Sequence, residues 1–383
     1  MYSDIIARIR AIFGAEGFIP LHEPRFWGNE RKYVLDAIDS TFVSSVGEYV
    51  NRFEAMLCQA TGASHAVATV NGTAALHVAM RLAGVEPGDE VLTQAVTFVA
   101  TANAIRYCDA EPVFLDVDRD TLGLSPAAVE SFLASSGVMG EGGRLVNRRT
   151  GRRIAACVPM HTFGHPARID ALVSICERHG VPLVEDAAES LGSTFGGRMT
   201  GTFGRLGIYS FNGNKTITCG GGGAIVTDDE ALAKRAKHVT TTAKRPHPYE
   251  FCHDEVGYNY RLPNLNAAMA CAQLEQLDGF LRRKRWLAET YADFFETIGL
   301  PFVTDPRGAR SNYWLNAVIL PDLEAREEFL RVTNAAGVMT RPIWRLSNTL
   351  PMYRECETDG LENSRWLEQR VVNIPSSVVP EAA

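Results

Sequence analysis

From about residue 30 to residue 227 the chain repeats one rhythm: an amphipathic helical stretch, a turn, then a short apolar run, as at 65–70, 90–92, 154–159, 182–185 and 206–211. Short apolar runs bounded by turns suit strands buried on both faces, so their alternation with helices predicts an α/β fold with a mostly parallel central sheet flanked by helices. A chain of 383 residues, 46% of them apolar, is long enough for two domains.

Past residue 241 the character changes. A loop rich in Pro, His and aromatic residues over 245–260 leads into 264–281, where Leu265, Ala268, Met269, Ala272, Leu277 and Leu281 recur at helical spacing. A strand over 313–320, a helix over 323–336 and a strand-like stretch over 338–342 suit a small α+β unit. We therefore expect a large ligand-binding domain over residues 1–252 and a smaller C-terminal domain, with its connecting helix, over 253–383.

Composition limits the partners. A formal charge of −7 and a pI near 5.8 argue against nucleic acid, because neutralising phosphates takes a concentrated excess of Lys and Arg. Arg144, Arg148, Arg149, Arg152 and Arg153 belong to a Gly- and Arg-rich insertion over 136–153, with a hairpin tip at Asn147 to Gly151, and are expected to decorate a solvated hairpin. Residues 1–13 alternate apolar and charged side chains, and no stretch is long and apolar enough for a membrane span, so the expected location is cytoplasmic. Eight scattered cysteines without CxxC spacing read as free buried thiols.

Four segments carry chemistry, each just after an expected strand, where open α/β sheets bind ligands. After strand 66–70, Asn71-Gly72-Thr73 opens a helix whose free N–H groups suit a phosphate, although any βα turn uses such residues. Val184-Glu185-Asp186-Ala187-Ala188-Glu189 sets carboxylates at a strand end, fit to keep a pyridine nitrogen protonated or, more plainly, to cap a helix. Ser210-Phe211-Asn212-Gly213-Asn214-Lys215 offers a hydroxyl for a phosphate and an amine for a Schiff base, and it lacks the Gly before Lys that a nucleotide P-loop requires. Phe98 is placed to lie on a flat ring, a core position being the commoner use of such a residue.

Together, from about residue 20 to 375, these segments resemble the DegT/DnrJ/EryC/StrS sugar aminotransferases, fold-type-I enzymes that use pyridoxal 5′-phosphate. The resemblance implies that Lys215 carries the cofactor, that Asp186 pairs with its ring nitrogen, and that Gly72, Thr73 and Ser210 meet its phosphate. It also places Phe98 over the ring and Glu189 toward its O3′ side. Asn259, within Gly257-Tyr258-Asn259-Tyr260-Arg261, falls where one subunit reaches its partner's phosphate, which implies a homodimer with shared sites.

More narrowly, Leu21-His22-Glu23-Pro24-Arg25, the stretches 42–47 and 160–166, and Thr340-Arg341-Pro342-Ile343-Trp344 look like the branch that aminates C4 of UDP-4-keto-6-deoxy-N-acetylhexosamines in bacillosamine and legionaminic acid pathways. That likeness implies L-glutamate as donor, a ping-pong reaction, and His161, His165, Arg341 and Trp344 on the substrate side; a GDP-linked sugar, as for perosamine synthases, stays open. Two departures stand out: Gly221, where many relatives carry Glu, and the short stretch of chain after residue 377.

Rival functions fit less well. The related dehydrases carry His in place of the Lys, a PLP-binding regulator would need an attached DNA-binding module, and Asn71-Gly72-Thr73 is not a Gly-x-Gly-x-x-Gly dinucleotide fingerprint. His161 and His165 stand four apart but in an expected turn, so no metal site is inferred.

Overall fold

The structure is a computed structural model that describes residues 1–380. In chain order its principal elements are α1 (Tyr2–Phe13), α2 (Glu30–Asp39), α3 (Glu48–Thr61), β1 (His65–Thr69), α4 (Gly72–Leu82), β2 (Glu90–Gln94), α5 (Val99–Tyr107), β3 (Glu111–Leu115), α6 (Pro126–Ser136), β4 (Ile154–Val158), α7 (Ile169–His179), β5 (Val184–Asp186), β6 (Leu206–Ser210), β7 (Gly223–Thr227) and α8 (Glu230–Thr240). There follow α9 (Asn264–Leu274), α10 (Leu277–Thr297), β8 (Asn316–Ile319), α11 (Leu323–Ala335), β9 (Arg341–Pro342), α12 (Glu362–Glu368) and β10 (Val371–Ile374).

The large sheet runs β1-β7-β6-β5-β4-β2-β3, with isolated bridges Cys157–Leu183 and Met160–Asp186 joining β4 to β5. Only β7 is antiparallel to its neighbours. This is the mostly parallel sheet that the alternation of helices and short apolar runs predicts. Alternate residues of the strands serve opposite faces. Ala68, Tyr209 and Ala224 pack with α3 and α9 on one side, while Val67, Ile208 and Ile225 pack with α4, α5 and α8 on the other. Covering both faces removes the strands from water and explains why they are apolar runs.

The C-terminal strands form an antiparallel sheet, β8-β10-β9. Its core with α10 and α11 also takes in Ile5 and Ile9 of α1, both fully buried, so the first helix packs with the last third of the chain.

Three local features differ from expectation. Strand β3, an edge strand with Pro112 near its start, was not among the expected apolar runs. The expected helix over 264–281 is two helices parted at Glu275 and Gln276, where the Gln276 amide bonds Glu30 and the Ala272 carbonyl. The insertion is a hairpin of Gly137–Met139 against Leu145–Asn147, but it is fastened down: Arg149 pairs with Glu357 at 2.9 Å, and Arg153 with Asp89. No helix among the described residues is long and apolar enough to cross a membrane.

Candidate active site

Because β1, β2, β4, β5 and β6 are parallel, the segments that follow them open on one edge of the sheet. Asp186 ends β5 and is buried. Its Oδ2 accepts from the Thr101 hydroxyl at 2.7 Å and its Oδ1 from the Ala188 N–H at 3.1 Å. Burial pushes this carboxyl up from its ordinary value, and the two donors, together with the charge of Lys215, pull it back down.

Three residues on, Glu189 accepts from the Phe163 N–H at 2.9 Å through Oε2, and its Oε1 lies 3.4 Å from Lys215 Nζ. Its side chain is 1% exposed and that of Lys215 only 12%, so the pair sits in a low-dielectric setting. Burial pushes the Glu189 carboxyl up to about 7 against the pull of Lys215 and the Phe163 amide. The Lys215 amine also lies over the Trp314 indole, 4.1 Å from the ring centroid. One amine thus faces a buried acid and an aromatic face at once.

Helix α4 begins at Gly72, capped by the Asn71 side chain, which accepts from the Ala74 N–H at 2.8 Å. Gly72 lies against Ser210 of β6 so closely that a Cβ built on it would stand 2.9 Å from the Ser210 Cβ. First-turn N–H groups of Gly72 and Thr73 and the Ser210 hydroxyl are brought to one place, the donor set an anion requires.

Phe98 is the residue before α5 and is 48% exposed, so its ring is open to a ligand. It leans on Trp344 at 6.3 Å between centroids, and Trp344 leans on Phe163 at 4.9 Å. Asp186, Glu189 and Lys215 converge, Gly72 and Ser210 converge, and Phe98 and Trp344 form an aromatic wall.

The other expected site residues lie differently. His161 is wholly buried, with Nδ1 accepting from the Ala167 N–H at 3.2 Å and Nε2 directed at Glu185 at 3.0 Å. Both ring nitrogens are engaged inside the scaffold, which leaves none for a substrate. His165 is buried edge-on against Tyr313, its pKa pushed down to about 4 by burial, so it is neutral at pH 7. Arg341 is exposed on β9, opposite Asn373 of β10. Asn259 is exposed and accepts from Arg261 Nε at 3.0 Å within its own chain.

Sequence reasoning missed Thr101, Trp314, Asn312 and Lys284. The buried Asn312 amide donates to the carbonyls of Glu189 at 2.9 Å and Leu191 at 2.8 Å, tying the acid's loop to the C-terminal region. Lys284, fully buried in α10, donates to the carbonyls of Tyr313, Trp314 and Ser376 at 2.8–3.3 Å, and burial pushes its pKa down to about 7. Thr101 alone had a legible signal, four residues after Thr97 on the first turn of a helix following a strand.

The chain matches the model of the DegT/DnrJ/EryC1/StrS aminotransferase family over residues 26–379. It is 38% identical over 336 residues to Bacillus subtilis EpsN, assigned as a pyridoxal phosphate-dependent aminotransferase, covering 88% of this chain and 84% of that protein. It is 36% identical over 366 residues to the GDP-perosamine synthase of Vibrio cholerae, with 94% of each covered. Among solved structures, the aminotransferase TlmJ from Streptoalloteichus hindustanus superposes with a TM-score of 0.84 at 29% identity over 94% of both chains.

Proposed function

The chain belongs to the DegT/DnrJ/EryC1/StrS aminotransferase family, as a pyridoxal-phosphate-dependent sugar aminotransferase, and from that premise we propose that it moves the amino group of L-glutamate to C4 of a UDP-4-keto-6-deoxy-N-acetylhexosamine. The observation that carries the site assignment is the convergence of Lys215, Glu189 and the hydrogen-bonded Asp186. The residues fit the cofactor: the close approach of Gly72 to Ser210 leaves a small cradle of donors for a phosphate, and a buried acid stands ready for a ring nitrogen.

Pyridoxal phosphate, when bound, supplies an aldehyde that captures amines and a protonated ring that takes up electrons from the adjacent carbon. Asp186 holds the proton at the ring nitrogen, its own charge favoured by the Thr101 hydroxyl. Lys215 Nζ takes the proton from the α-carbon of glutamate and, in the return half, gives one to C4 of the sugar. Glu189 orients that amine. Phe98 and Trp344, leaning on each other, would flank the ring and keep water from it.

The motifs at 21–25 and 340–344 favour the UDP-linked acceptor, whereas likeness to a GDP-perosamine synthase favours GDP-4-keto-6-deoxymannose. Exposed Phe26, Trp27, Phe42, Val46, Tyr249 and Phe251 favour a homodimer in which Asn259 serves the partner's site. The test is purified protein with cofactor and L-glutamate, offered each keto-sugar separately, beside Lys215→Ala. Turnover that survives the substitution ends the assignment of Lys215, and turnover of only the GDP sugar replaces the acceptor.

A further inference from the structure

The structure assigns to Trp314 a positioning role: its indole, with Glu189, holds the free amine of Lys215 in a resting place beside the reaction. The inference rests on the proposal that Lys215 is the amine that releases and recaptures the cofactor.

Trp314 is fixed from every side. Its backbone N–H donates to the Asn312 Oδ1 at 2.8 Å, its carbonyl accepts from Lys284 Nζ at 3.1 Å, and its indole N–H donates to the carbonyl of Asn214 at 2.6 Å. The side chain is buried, with the whole residue 4% exposed. Asn214 directly precedes Lys215, so one ring both grips the backbone before the lysine and offers its π face to the lysine's amine at 4.1 Å. The rigid indole face at 4.1 Å and the buried Glu189 Oε1 at 3.4 Å hold the amine from two sides. Each time a substrate amine displaces Lys215, the liberated amine has to stay within reach of the substrate carbon. A long, flexible side chain left loose would lose rotamer freedom at every return. The indole and Glu189 confine it in advance.

Two readouts test this. In the protein stripped of cofactor, trace labelling by acetic anhydride at constant pH, followed by mass spectrometry of the Lys215 peptide, reports how much of the amine is free to react. Trp314→Leu removes the face and is expected to label about ten-fold faster. Trp314→Phe keeps a weaker cation-binding ring and is expected to label about two- to three-fold faster. In the holoenzyme, Trp314→Leu should lower kcat by about ten-fold or more while KM for glutamate and for the keto-sugar moves less than about two-fold. Wild-type labelling rates in either variant overturn the proposal, as does a change confined to KM, which would make Trp314 a substrate wall. If Trp314→Leu fails to fold, the phenylalanine variant alone decides by its labelling rate. Turnover surviving Lys215→Ala would sink the role of Lys215 yet leave the labelling result, and hence the contact, standing.

Discussion

Replacing Glu189 by Gln isolates the energetics of the buried acid. Its carboxyl is pushed from 4.5 to about 7 by burial, with Lys215 opposing. A folded value above the unfolded one means that the folded protein holds the proton more tightly. The stability this contributes is therefore full below 4.5 and is lost as pH rises through 7. Gln keeps an oxygen for the Phe163 N–H and cannot titrate. The stability difference between cofactor-free wild type and Glu189→Gln should then move in favour of wild type on going from about pH 8 to about pH 5. Linkage over that window gives about 2.5 kcal/mol, each pKa unit being worth about 1.4 kcal/mol. Equilibrium urea unfolding of both proteins at the two pH values measures it, and groups common to both cancel. A difference that stays flat, or that favours wild type at the higher pH, refutes the argument that desolvation dominates at Glu189.

Thr101→Val deletes the 2.7 Å donor to the buried Asp186 and should lower kcat about ten-fold while costing about 1–3 kcal/mol of stability, as measured by steady-state rates beside urea unfolding. Gly72→Ala forces a methyl against Ser210 and should weaken cofactor binding about ten-fold, read by titrating cofactor into the stripped protein; unchanged affinity would show that the α4 terminus gives no phosphate seat.

Much of the fold was legible because strand burial and helix spacing are local patterns. Asp186, Ser210 and Gly72 stood out because each ends or follows a strand, whereas Lys215 and Glu189 were singled out through the family motifs they resemble. Trp314, Asn312 and Lys284 were not. They reach the site from about 100 residues beyond Lys215 or across α10, through contacts to backbone carbonyls that leave no trace in residue type. His161 shows the opposite failure: a polar residue beside the site whose nitrogens are spent on Glu185 and Ala167. The broken helix at Glu275 and Gln276 escaped because the apolar spacing continues through it, while the side chain that stabilises the break finds its partner at Glu30.

Helix α1 carries a consequence for how the protein is made. Ile5 and Ile9 are buried among Leu287, Tyr291, Phe329 and Val372, and the Tyr2 hydroxyl donates to the Ala325 carbonyl at 3.2 Å. Helix α1 is made before α10, α11 and β10, so its apolar stripe stays uncovered until those elements have followed it. Its docking joins segments about 300 residues apart in sequence, so α1 is among the last elements to find its place.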